Sequence, residues 1–184
     1  MLTVAIIGLF SFNSYSQEDV NKAIELYNQV VETAKSEDYV SAIAKANEAY
    51  SIAKAAPEGA EEVKANLEKI IPQLYISKAK QSFDNKKFAD ALTEFNHTAE
   101  EAQEFNNTEI LKDAVEFIPK VYVAQADELF KNNDFDGAVG AADKALAIDS
   151  SNAQVYLLKG ASLLKLGNNT EAVATLEKTI AVAN

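Results

Sequence analysis

Cysteine is missing from the 184-residue chain, which excludes disulfides, thiolate metal sites, a thiol nucleophile and a lipidated N-terminal cysteine. Glycine and proline are scarce, at 6 and 3 residues, so few positions interrupt regular structure. Basic residues are the minority, 17 against 28 acidic ones, and the net charge is −11. No run of Lys or Arg forms a stripe, which argues against nucleic acid and anionic membrane as partners. The apolar run at positions 2–10 is nine residues long, too short to span a bilayer, which takes about 20. What is present is 48% hydrophobic residues, enough for a core, in stretches rich in Ala, Glu, Lys, Leu and Val. Most of these are good helix formers, and an all-α protein follows.

Residues 1–16 differ from the rest. The apolar run LTVAIIGLF precedes a polar stretch in which Ser14 and Ser16 stand like the small residues of a cleavage site. Charged residues begin only at Glu18. This arrangement resembles a secretory signal peptide cut between Ser16 and Gln17, although no Lys or Arg precedes the run. Export to the periplasm or outer cell envelope of a bacterium is the expectation that goes with it.

From Glu18 onward, apolar and small residues recur at spacings of three and four, the helical period. Polar quartets at 35–38, 84–87, 131–134 and 166–169 break the pattern, each between two amphipathic segments, so the unit is a helical hairpin. The stretch from Ile71 and Pro72 through Tyr75, Phe83, Phe88 and Ala91 reappears as Ile118, Pro119, Tyr122, Phe130, Phe135 and Ala138, at an offset of 47 throughout. Tyr122, Ala126, Leu129 and Ala138 in turn precede Tyr156, Gly160, Leu163 and Ala172 by 34. An aromatic, a small residue, a Leu and an Ala in a helix-turn-helix period of 34 resemble the tetratricopeptide repeat.

The resemblance implies a right-handed α-solenoid of about four hairpins over 17–184, with units near 21–56, 57–106, 107–150 and 151–184. Ala79, Ala126 and Gly160 are expected to face Ala91, Ala138 and Ala172, allowing close helix approach, with Tyr39, Phe88 and Phe135 plugging the ends beside the turns. The chain departs from the family pattern where a Leu is replaced by Gln29, Lys78, Gln125 and Lys159. The first two spacings also exceed 34, so extra helix at 60–71 and 108–118 is expected to set the early hairpins apart, as long helices kinked at Pro72 and Pro119. Positions 151–154 read as a capping box opening the seventh helix, and Gly167 as its stop.

Candidate chemistry is thin. Residues 132–143, with Asp134, Asp136, Gly137 and Asp143, fit a calcium-loop spacing, but the hairpin register requires helix from Phe135 onward, and a helix cannot wrap an ion. His97, beside Glu94, Glu100 and Glu101, could hold a metal weakly; a solvated helix residue is the simpler reading. The glutamates at 100, 101 and 104 have no converging second element and read as solvation. No phosphate loop, nucleophile elbow or zinc motif is present, and neither cofactor nor catalysis is expected.

The family implies partner binding on the face formed by the first helix of each hairpin. Carried over position by position, the candidates are Tyr27, Val31 and Lys35, then Gln73, Ile76, Lys80, Phe83 and Asp84. The third hairpin contributes Lys120, Val123, Asp127, Phe130 and Lys131, and the fourth Gln154, Leu157, Ala161, Leu164 and Lys165. The Lys and Asn clamp that some members use on a terminal carboxylate is not assembled, because the aligned sites hold Tyr27, Val31, Ile76, Lys80, Val123 and Asp127. The last helix shows Val173, Leu176 and Ile180 on one side, a face expected to be covered by self-association or by further sequence. The function this implies is a non-catalytic scaffold or adaptor for another protein or peptide; the alternatives are a repeat region of a longer multidomain protein, or a calcium-binding or enzymatic helical domain.

Overall fold

The computed structural model describes residues 17–56 and 58–183, and the leader reading for 1–16 lies outside them. Among the described residues there are eight helices and no strand: α1 (Gln17–Lys35), α2 (Tyr39–Ala55), α3 (Glu61–Asp84), α4 (Phe88–Glu104), α5 (Thr108–Lys131), α6 (Phe135–Ile148), α7 (Ala153–Lys165) and α8 (Asn169–Ala183). They fall into two compact units, Met1–Glu68 and Lys69–Asn184, divided inside α3.

The polar quartets become turns for a shared physical reason. Each helix that opens a hairpin is closed, two residues after its end, by a residue with left-handed backbone: Glu37, Lys86, Asn133 and Gly167, at φ of 60, 58, 62 and 80°. In the last of these, Gly167 N–H donates to the Leu164 carbonyl and Asn168 N–H to the Leu163 carbonyl, so two orphan carbonyls at the helix end are satisfied. Lys86 with Lys87, and Asn133 with Asp134, repeat that pair of bonds. Asn106 (φ 53°) does the same between α4 and α5. In three cases the next residue then caps the following helix: the Asp38, Asn107 and Asp134 carboxylate or amide oxygens accept from Ser41, Ile110 and Gly137 N–H at 3.1, 3.1 and 2.9 Å, whereas Lys87 makes no side-chain cap bond. At α7 the cap is Asn152, accepting from Val155 N–H, and not Ser151, whose N–H and hydroxyl both donate to Asp149.

In the first unit, α2 turns Ala42, Ala46, Ala49 and Ala53 inward at helical spacing, and Val20, Ala23 and Val30 of α1 are buried with them. Alanine on the shared face lets the two backbones approach closely, while Ile43, Val63 and fully buried Leu67 supply the bulk of this unit's core.

The second unit holds two adjoining cores. Ile76 and Ala79 of α3, Ala91 and Phe95 of α4, and Ala114 and Val121 of α5 form the first, with Phe83, Phe88 and Phe117 packed against it. Ala126, Ala141, Ala142, Ala145 and Val155 form the second, across α5, α6 and α7. Gly160 brings α7 onto α8: a Cβ there would stand 2.6 Å from Leu176.

Pro72 and Pro119 each lie inside one continuous helix of 24 residues. The extra turns are therefore part of the hairpins' own first helices. At 108–118 they do not act as a spacer setting hairpins apart: Ile110, Ala114 and Phe117 join the core around α4, and Phe117 stacks on fully buried Phe95 with centroids 4.9 Å apart.

Candidate partner-binding cleft

Two helix stripes face one another across a cleft of about 820 Å³ in the second unit. From α5 come Glu116, Pro119, Lys120, Val123, Ala124, Asp127 and Phe130, and from α7 Gln154, Leu157, Leu158 and Ala161. The link between α6 and α7 adds Asp149 and Asn152. Positions 116, 120, 123, 127 and 130, like 154, 157 and 161, advance by three and four, so each set occupies one side of its helix. The walls are mostly apolar, with Val123, Phe130, Leu157, Leu158 and the alanines between charged margins. Phe130 is braced edge-on by Phe135 at the start of α6, 5.4 Å between centroids.

The sequence-based candidates from these two helices largely converge here. Lys120, Val123, Asp127, Phe130, Gln154, Leu157 and Ala161 all line the cleft. Lys131 stands behind it in an ion pair with Asp127. Leu164 is exposed one turn beyond Ala161, outside the lining, as is Lys165. Glu116, Pro119, Ala124, Leu158, Asp149 and Asn152 are additions. The first two sit one turn and one residue before Lys120, and extending the α5 stripe backward would have found Glu116. Asp149 and Asn152 lie in a link that helical spacing does not reach.

Upstream candidates are placed differently. Ile76 is only 4% exposed and belongs to the core, so it is not part of an accessible face. Phe83 is half-buried, edge-on to Phe88 and Phe117 at 6.2 and 6.1 Å. Lys80 reaches Asp113 at 3.8 Å and lies over the Phe117 ring at 5.0 Å. Tyr27 lines a smaller cleft of about 270 Å³ within the first unit, beside Ile24, Asn28, Glu62, Val63 and Asn66. Val31 is half-buried, Lys35 pairs with Glu32 at 2.8 Å, and Gln73 and Asp84 are exposed.

The other candidate chemistry resolves into structure. Helix α6 begins at Phe135 with Asp134 as its cap, so residues 132–143 do not wrap an ion. Among the described residues no group of three or more His, Asp or Glu is placed to hold a metal. His97 stands edge-on to Tyr75 at 4.7 Å, with Glu100 and Glu101 oxygens each 3.7 Å from a ring nitrogen. Burial pushes the Glu101 carboxyl upward, against the pull of His97. No described helix is long and apolar enough to cross a membrane.

Two antiparallel-helix hairpins stacked so that their first helices line a cleft define a helical repeat. A tetratricopeptide-repeat family model matches residues 129–184, which take in the end of α5 and all of α6, α7 and α8. Over that span the chain is similar to the tetratricopeptide repeat, a fold that generally serves protein interaction without catalysis. No curated protein matches the chain. Among solved structures, "MamA MSR-1 C2" aligns at 13% identity and TM-score 0.39 over 88% of this chain and 96% of its own. "MamA AMB-1 P212121" aligns at 14% and 0.40 over 88% and 91%.

Proposed function

We propose that the protein is a non-catalytic interaction scaffold of the bacterial cell envelope that receives a peptide or partner domain in the α5–α7 cleft. The observation that carries the reading is the convergence of Val123, Phe130, Leu157 and Ala161 on one apolar trough flanked by charge. A trough of this size buries several large side chains, which at about 1.5–3 kcal/mol each is ample for specific association. The export half of the proposal is supported by the apolar run at 2–10 and the small residues before Gln17.

Leu157 is 53% exposed, so replacing it disturbs the fold little. Crosslinking capture from envelope fractions of the producing bacterium is expected to fall at least tenfold for Leu157→Gln and Ala161→Gln; unchanged capture by both folded variants would remove the cleft from the proposal. Mass analysis of the protein from those cells should give a chain beginning at Gln17, and a chain retaining residues 1–16 in the cytosol would discard export.

A further inference from the structure

Resting on the reading of the α5–α7 cleft as the partner-binding face, we propose that its occupant is a short polypeptide segment with two or more large apolar side chains and a lysine or arginine beside them. The charged lining is lopsided: Glu116, Asp127 and Asp149 against Lys120. Two of these charges are already engaged, Asp127 by Lys131 and Lys120 over the Phe117 ring at 4.8 Å. Among the described residues Glu116 is met only by Lys112, at 3.8 Å, with both side chains more than half exposed. Asp149 accepts from the Ser151 N–H and hydroxyl, and no ammonium among the described residues lies within ion-pair distance of it.

Water satisfies these two carboxylates while the cleft is open. A partner seated on Val123, Leu157 and Ala161 displaces that water, and a carboxylate covered without a counter-charge is costly. An acidic or purely apolar segment would leave Glu116 and Asp149 in that condition, whereas a cation beside the apolar anchors answers both. The stripe from 116 to 130 is about 21 Å long at 1.5 Å per residue, room for a segment of six or seven extended residues.

The test is fluorescence anisotropy with the full chain at physiological salt and three synthetic 12-residue peptides, of Leu with Lys, Leu with Gln, and Leu with Glu. The Leu/Lys peptide is expected to bind at least tenfold more tightly than Leu/Glu. The double variant Glu116→Gln, Asp149→Asn is expected to abolish the preference, so that Leu/Lys binds it no more tightly than Leu/Gln does. The preference surviving in that variant would mean attraction to the overall charge of −11, and would overturn the inference. The uncharged change Leu157→Gln separates the two readings. If it weakens all three peptides but Leu/Glu binds as well as Leu/Lys, the inference alone fails; if it weakens none, the cleft reading fails.

Discussion

Lysine at position 159 replaces a family leucine, and its surroundings show why a charge is tolerated there. Its side chain is only 15% exposed, yet its ammonium meets Asp143 of α6 at 2.8 Å and Glu171 of α8 at 3.3 Å. Burial pulls its pKa down, and the two carboxylates pull it up by more, leaving it above the ordinary lysine value. A group whose folded pKa is raised contributes stability that is fully present below its unfolded pKa and is lost as pH rises through the folded value. The stability difference between the native chain and Lys159→Met should therefore be flat from pH 6 to about 10 and shift against the native chain above that. A difference constant through pH 11 in denaturant titrations would show that the two carboxylates do not hold the proton. One residue on, Gly160 has no room for a methyl group beside Leu176. Overpacking costs about 1–3 kcal/mol and outweighs the roughly 1 kcal/mol that alanine gains in a helix, so Gly160→Ala should lower the melting temperature.

At the level of helices and turns, the same left-handed closure is made by Glu37, Lys86, Asn133 and Gly167, only one of which is glycine. A lysine in that conformation costs about 1–2 kcal/mol relative to glycine. Lys86 also pairs with Glu128 at 2.9 Å, but an exposed pair contributes about 0.2–1 kcal/mol. Lys86→Gly should thus raise stability by about 1 kcal/mol, and Gly167→Ala should lower it; melts in which both changes go the same way would refute the turn analysis. These turns were legible in the sequence because short polar stretches interrupt a helical period between amphipathic segments. The small buried positions were legible as well, from Ala79, Ala91, Ala126, Ala138, Gly160 and Ala172 keeping register. The α7 cap was misplaced by one residue, since Ser151 and Asn152 are both able caps and only the backbone decides which oxygen meets Val155 N–H. Ile76 was misread for a different reason: family alignment puts it on an open face, but the lengthened α5 brings Ala114 and Phe117 into the core that holds it. No spacing rule reports what a longer neighbouring helix covers.

Over the whole chain, an excess of 11 negative charges competes with ion pairs between helices. Lys22–Glu48 and Lys78–Glu94, at 2.9 and 3.0 Å, are examples of the latter. Salt weakens both kinds of interaction, but not equally. At 0.15 M the Debye length is about 8 Å, well beyond the separation within a pair, so the pairs keep most of their attraction. Repulsion among carboxylates farther apart than that is largely removed. At 0.01 M the Debye length is about 30 Å, so these repulsions act across much of a folded chain. Added salt should therefore stabilise the protein, by on the order of 1 kcal/mol. For a chain of this length that corresponds to a rise of about 2–4 °C in melting temperature between 0.01 and 0.15 M sodium chloride. A melting temperature that falls over this range would mean that the interhelical pairs contribute more than the net charge subtracts. The charge-reversed variant Glu48→Lys would then be the sharper probe, because it removes the Lys22 pair and two units of negative charge together. If net repulsion dominates, that variant should lose little stability at low salt and more at high salt, where the lost pair is no longer offset by relief of repulsion.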